Sequence, residues 1–382
     1  EGPTWEEAEA NANKLGGHLV TINDAEENQW ITDELLKTYG GTSIEVEAFY
    51  IGLNDELIEG EWEWVSGEDS EYTNWHWINP NNSGGHEDYA EIYSSNTTHW
   101  INLSGGEENI GKWKVFAIDS GFFRLDGGAM MGSVPKVLWE KDNPCDKFNR
   151  INLSLRCLLV DDGQNVVLIE SGIGHRNSDK FKEMFAIDHS EYTLSNTLSK
   201  YGYNFESITH MILTHLHFDH SGGALYCDEV GCLQIAFPNA KYYVSKRNWD
   251  IGLNPSPRDR ASYLVDNYKL LDEKGVLELF DDNDDILDGI SGYAVDGHTS
   301  GQQLIKISDK GSTLVFVSDL IPLKSHLKLP WIMGYDLNAA LTLKEKKIFL
   351  DEACNKNWLL FFYHDPDTIA VRICKDEKYY KI

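Results

Sequence analysis

Four side chains able to bind a metal ion fall within six residues, His215-Leu-His217-Phe-Asp219-His220, immediately after the apolar run Met211–Leu213. A loop leaving a strand end can aim His215 and His217 to one side and Asp219 and His220 to another. One tight turn can therefore serve two metal ions. Imidazole and carboxylate suit zinc, manganese, iron or cobalt, and zinc is the first expectation. Buried without partners these groups would be costly, and coordination removes that cost. Three more candidates leave hydrophobic segments further along: His298 after Tyr293–Val295, Asp319 after Leu314–Val317 and His364 after Leu359–Tyr363. A lone strand-end His or Asp is ordinarily a cap or a hydrogen-bonding group. Beside the dense cluster, all three read as further ligands.

The elements that must carry these residues follow from periodicity. Leu155–Val160 and Val166–Ile169 read as buried strands, and Lys180–Tyr201 as one long helical stretch. Strands are expected at Met211–Leu213, Lys241–Val244, Tyr293–Val295, Leu304–Ile307 and Leu314–Val317. A helix over Leu343–Asn355 precedes a last strand at Trp358–Tyr363. Strands mixed with helices, with polar residues at strand exits, predict an α/β layered fold. The N-terminal part is different. It opens with a helix whose apolar side is Trp5, Ala8, Ala12 and Leu15, stopped by Gly16-Gly17. His18–Ile22 reads as a strand. Asn23 or Asp24 can cap a second helix, with Glu27 placed to complete a capping box for Asp24 and Trp30, Ile31 and Leu35 facing inward.

Charge divides the chain at about the same place. The formal net charge is −29, and residues 1–110 hold 24 of the 62 acids but only two bases, Lys14 and Lys37. A shift this sharp marks two units. Such acidity argues against a nucleic-acid partner, which requires clustered Lys and Arg. No apolar run reaches membrane-spanning length. The six cysteines all lie at or after Cys145, in no zinc-finger spacing, and read as small buried hydrophobes. The first residue is Glu1 and no leader is visible, so a processed or partial chain is expected and the compartment stays open.

Residues 112–382 resemble the metallo-β-lactamase superfamily, whose HxHxDH segment and three later ligands occur here in the same order. The resemblance implies an αβ/βα sandwich. It also implies one metal on His215, His217 and His298, and another on Asp219, His220 and His364, with Asp319 bridging. Within the superfamily the likeness is to quorum-quenching N-acyl-homoserine lactonases, carried by Leu125–Pro135, Glu170–Gly174, Ser318–Pro322 and His326–Trp331. Two metals bridged by a carboxylate lower the pKa of a shared water and hold hydroxide as the nucleophile. Asp219 or Asp319 then carries the proton to the leaving alkoxide, and His326 is a candidate substrate contact. Glu170 stands where the family usually has Asp beside a ligand, and Pro322 where some lactonases have a Tyr. The implied substrate is a small lactone or related ester. A phosphotriester or aryl ester is the alternative.

Residues 4–103, within a first domain of 1–103, resemble bacterial C-type-lectin-like domains that lack disulfides, through Trp5–Glu9, Gly17–Asn23, Tyr50–Asn54, Trp62–Trp64 and Asn79–Asp88. Residues 104–111 read as a Gly-rich linker. In sugar-binding members Glu-Pro-Asn, a later Glu and Trp-Asn-Asp hold calcium, which holds sugar hydroxyls. Here Asn79, Asn81, Glu87 and Asn102 occupy the matching positions, so three formal negative charges fall to one. Calcium affinity follows carboxylate count. The expectation is a weak or lost calcium site, and carbohydrate is the minor partner. The family's first strand would precede Glu1, which predicts a less stable module. A sugar-binding protein with a vestigial hydrolase is the rival reading, and the complete ligand set disfavours it.

Overall fold

The computed structural model describes residues 4–24, 27–28, 30–31, 48–55, 62–68, 70, 72, 89–93, 100–102, 108–228, 230–376 and 379–381. The chain divides into two compact units, Glu1–Glu108 and Asn109–Ile382.

In the first unit, Thr4 caps the helix Trp5–Lys14, with Glu7 closing a reciprocal capping box. Beyond it Gly16 takes a positive φ of 88°, the conformation that ends a helix cheaply only at glycine. Four strands pair in the order Glu63–Trp64, Ala48–Asn54, Tyr89–Tyr93, Trp100–Asn102. Ile22, Ile51, Leu53, Trp64, Ala90 and Ile92 form the core between them. His18–Ile22 is not a strand: it is tied to its neighbour by Gly52 N donating to Val20 O rather than by a ladder. Asp24 does cap, accepting from Glu27 N, whereas the Glu27 carboxylate reaches Asn23 N. Trp30 is exposed while Ile31 packs on the core, because adjacent helix positions point about 100° apart. Leu35 lies outside the described residues.

Among the described residues, the second unit has two large sheets and two two-stranded ones. The first runs Leu277–Phe280, Lys241–Ser245, His210–Leu213, Val166–Ile169, Arg150–Asp161, Trp113–Asp126, Glu108–Ile110. The second runs Asp285–Leu287, Ile290–Val295, Gln302–Asp309, Ser312–Phe316, Leu359–Phe361, Ala370–Arg372. Parallel pairs join the four strands from the edge strand Leu277–Phe280 to Val166–Ile169 in the first sheet, and Ser312–Phe316 to Leu359–Phe361 in the second. Val166–Ile169, residues 211–213 and 314–316, and Leu359–Phe361 are near-continuous apolar runs because both faces are covered, whereas the edge strand Leu277–Phe280 leaves Leu279 exposed. Burying each Leu, Ile or Phe there contributes about 1.5–3 kcal/mol. The helix Ala339–Asn355 packs Phe349, Leu350 and Ala353 onto Val295, Leu304, Val315 and Leu360.

Two expectations need correction. The long helix over Lys180–Tyr201 is two helices, Asp179–Phe185 and Leu194–Lys200. Ala186 turns left-handed at φ 44°, Asp188 pairs with Phe122 of the neighbouring strand, and Thr193 caps a fresh start. The cysteines are not uniformly buried: Cys157 is, but Cys227, Cys232 and Cys374 are exposed and all six are free thiols. Cys227 lies on a small hairpin with Leu233–Ile235, whose short strands leave one face to solvent.

Candidate metal centre

Every sequence-predicted metal ligand arrives at one edge of these sheets. His215 and His217 follow the strand His210–Leu213, and the single helical turn Phe218–Ser221 then presents Asp219 and His220. Local bonds hold this turn: Leu216 N donates to Asn248 Oδ1, and Ser221 Oγ to His217 O. His298 follows Ile290–Val295 on a loop clamped by Glu345, whose carboxylate accepts from Asp296 N and Gly297 N. Gly297 cannot be replaced freely, since a Cβ there would stand 2.3 Å from Thr342 Oγ1. Asp319 follows Ser312–Phe316, and His364 follows Leu359–Phe361.

His215, His217, His298 and Asp319 bring one donor atom each within 4.8 Å of one another, and so do Asp219, His220 and His364. In the first group His217 Nδ1 lies 3.1 Å from both His215 Nε2 and His298 Nε2, with His298 Nε2 3.2 Å from Asp319 Oδ2. Donors arranged tetrahedrally at ~2.0–2.1 Å from zinc sit roughly 3.3 Å apart, so this spacing fits a shared ion. In the second group Asp319 Oδ1 is 3.4 Å from His220 Nε2 and from His364 Nε2, while Asp219 Oδ2 is 3.7 Å and 3.5 Å from them. His220 Nε2 and Asp319 Oδ1 are buried with no hydrogen-bond partner among the described residues. Orphaned donors of this kind are costly unless a cation takes them up. The residues present fit divalent metal ions.

A second layer orients the ligands, as metal-bound imidazoles require. His298 Nδ1 meets Asp336 Oδ1 at 2.9 Å, His220 Nδ1 meets Glu170 Oε1 at 3.1 Å, and His364 Nδ1 meets Ser154 O at 3.0 Å. His215 Nδ1 lies 3.0 Å from Thr214 Oγ1, which also contacts Glu170 Oε1 and Ser318 Oγ. Glu170 and Ser318 hold positive φ values of 69° and 43° without being glycine. Such backbone costs about 1–3 kcal/mol per residue and persists where surrounding contacts over-determine it, often at functional sites.

Electrostatics separates the donors. Burial, reinforced by neighbouring histidines, pushes His215 and His217 well below the usual histidine range. For His220 burial acts the same way but is overcome by Asp319, Asp219 and Glu170, which raise it well above that range. His298 is raised too, Asp319 and Asp336 outweighing burial. Burial opposes the charge on Asp319, yet His220, His298 and His364 hold its carboxyl well below the usual carboxylate range. A bound divalent cation replaces those protons as the balancing charge.

His217, Asp219, His298, Asp319 and His364 line a cavity of about 450 Å³ whose remaining walls include Leu125, Met130, Phe185, Phe218, Met333 and Leu337. Arg258 and Tyr335 also line it. Burial pushes the Tyr335 phenol up to about 12, so it keeps its proton at neutral pH. The expected substrate contact His326 is corrected: the cavity lining does not include it. It is fully buried, with Nε2 3.0 Å from Met130 O, supporting the wall from behind.

Sequence reasoning missed Asp336, which meets His298 from 38 positions away with no local motif, and Tyr335 beside it. It also missed Lys346. This buried ammonium donates to His326 O, Lys328 O and Trp331 O, fastening the segment that leads into the wall. An isolated cation patterned like core on a helix carries no readable signal. Of the calcium candidates, Asn79, Asn81 and Glu87 lie outside the described residues. Asn102 ends a strand opposite Ala90.

Comparison with known proteins agrees with this geometry. The family model of the metallo-beta-lactamase superfamily matches residues 154–364, more than half of the chain. The chain belongs to the metallo-β-lactamase superfamily. This superfamily unit is a metal-dependent hydrolase with mixed α/β sheets. A probable metal-dependent hydrolase from Staphylococcus aureus shares 28% identity and a TM-score of 0.66, covering 72% of this chain and 97% of that one. AidC, a dizinc quorum-quenching lactonase solved with a product, has a similar fold at 21% identity and a TM-score of 0.60, covering 72% of this chain and 95% of that one. In front of the metallo-β-lactamase fold stands a C-type lectin domain, whose family model matches residues 1–114. A perlucin-like protein from Mytilus galloprovincialis is 31% identical over 116 residues, 29% of this chain and 69% of that one. Of several vertebrate lectins that also match, the chain spans less than half. Among the described residues no helix is long and apolar enough to cross a membrane.

Proposed function

We propose that residues 112–382 hold two divalent metal ions, zinc by donor type, and open lactones or related esters. One ion is assigned to His215, His217 and His298, the other to Asp219, His220 and His364, with Asp319 between them. The observation that carries the reading is that these seven side chains gather into two adjacent donor groups, five of them (His217, Asp219, His298, Asp319 and His364) lining a cavity with largely apolar walls. Bound there, the ions would supply an activated water and polarise the substrate carbonyl.

The protein's own residues do the rest. Leu125, Phe185, Phe218 and Met333 exclude water and receive an uncharged acyl portion. Both oxygens of Asp319 face ligand nitrogens, one toward each group. Asp219 engages the second group through one oxygen, Oδ2, leaving the other to carry the proton to the departing alkoxide. The Tyr335 phenol, protonated at neutral pH, is a hydrogen-bond donor placed on the same cavity. It supplies from another segment what Pro322 does not. The lectin-like unit, 1–103 with the linker 104–111, is assigned carbohydrate as its ligand class, with little calcium dependence.

The test is hydrolysis of a panel by the full chain, metal-loaded and metal-stripped. Acyl-homoserine lactones, aryl esters and a phosphotriester would be compared. Metal-dependent ring opening at least tenfold above the others supports the assignment. Preference for the phosphotriester, or no turnover of any member, removes the substrate class.

A further inference from the structure

A second cavity, of about 410 Å³, is bounded in part by Ser171 and Gly174 of the Glu170–Gly174 loop and shares no lining residue with the cavity at the candidate metal centre. Ser171 forms part of its wall, and Ser171 Oγ donates to His220 O at 2.9 Å, so the cavity backs onto a ligand segment without reaching the donors. The rest of the wall combines polar and apolar parts. His175, His189 and Arg176 lie among Leu194, Phe205 and Leu225.

Three observations give this cavity a chemical preference. No carboxylate lines it, in a chain whose formal net charge is −29. Arg176 is held by Leu225 O, Asp266 O and Asn267 Oδ1, all uncharged acceptors, so its positive charge is not neutralised by its anchors. The His175 and His189 rings pack 4.2 Å apart, and among the described residues neither ring has a protein hydrogen bond. The exposed His175 and partly buried His189, with ring nitrogens unused by the protein, stand beside an unneutralised guanidinium and form a polar end suited to an anion. Leu194, Phe205, Leu225 and Ala236 offer an apolar end.

We propose that this cavity is a second ligand site, for a small amphiphilic carboxylate whose head lies at Arg176 and the histidine pair and whose tail lies along the apolar wall. The site is independent of the metal centre and of its substrate. A free fatty acid and a ring-opened acyl amino acid share this chemistry.

Octanoate and N-hexanoyl-homoserine carboxylate, titrated separately into the metal-loaded full chain by calorimetry, distinguish the two sources; octanol and acetate serve as controls. Saturable binding of one or both carboxylates is expected, with binding by octanol and by acetate at least tenfold weaker. Arg176→Gln should weaken it at least tenfold while kcat and KM for an aryl ester stay unchanged. Because Arg176 also ties loops together, Ser195→Trp provides a second variant: Ser195 is exposed at the cavity wall, and an indole there fills the space. Binding that survives Ser195→Trp, or that disappears in Asp319→Ala but not in Ser195→Trp, places the carboxylate on the metal centre and overturns the proposal. Absence of saturable binding overturns it as well.

Discussion

The two halves of the metal centre are built from different materials. The group of His215, His217 and His298 is three imidazoles with Asp319 at its edge, and burial keeps two of the three rings in their neutral form. The group of Asp219, His220 and His364 has its own carboxylate, and Glu170 stands behind His220. Its charge is set by those acids, which hold a proton on His220 until a cation replaces it. In one half burial keeps two of three imidazoles ready to bind, with His298 and Asp319 completing the group. The other half, with its own carboxylate, must lose a proton from His220 to bind. Asp319 falls in the first group, and its Oδ1 lies 3.4 Å from both His220 Nε2 and His364 Nε2 of the second.

That contrast ranks the perturbations. Asp319→Ala removes the shared carboxylate and should lower kcat/KM on the order of 10³-fold. Metal analysis should find neither group filled; retention of two ions would break the assignment of Asp319. Asp219→Asn touches only the carboxylate-bearing group. Activity should fall by roughly 10²-fold, with one ion retained per chain. Asp336→Asn acts behind His298 and should weaken metal affinity by about 10–100-fold in that group while the other stays filled, as read by chelator competition. Glu170→Gln acts directly behind His220 and, through Thr214, behind His215, so its larger loss should fall on the group of His220. Equal losses from both groups in Asp336→Asn would erase the distinction.

Acidification gives the mildest test. His215 and His217 lie below the ordinary histidine value of 6.5, so at neutral pH no proton competes for them. His220 lies well above 6.5, so binding there releases a proton and affinity drops as pH falls through neutrality. His298 shares that tendency more weakly. The ion on Asp219, His220 and His364 should therefore leave first in a titration from pH 8 to 6.

Much of this centre was legible because its chemistry is concentrated. His215 to His220 place four donors in six residues, and the other three stand at the exits of apolar strands, so type and position agree. The supporting layer was not legible. Asp336 acts across 38 positions on His298, and Lys346 acts through backbone carbonyls, so neither leaves a pattern in its neighbourhood. The strand Trp113–Asp126 escaped notice for a different reason. Its register shifts between Asp119 and Phe122, at Gly121 with φ 130°, so the alternation of buried positions is interrupted midway. The division of Lys180–Tyr201 into two helices rests on a single left-handed Ala186 and a cross-strand bridge, and helical periodicity on either side conceals both.

The most direct test is metal occupancy in crystals of the zinc-loaded full chain, located by anomalous scattering. Two zinc peaks, one among His215, His217 and His298 and one among Asp219, His220 and His364, with Asp319 touching both, are the predicted result. A single peak, or zinc bound without Asp319, would contradict it.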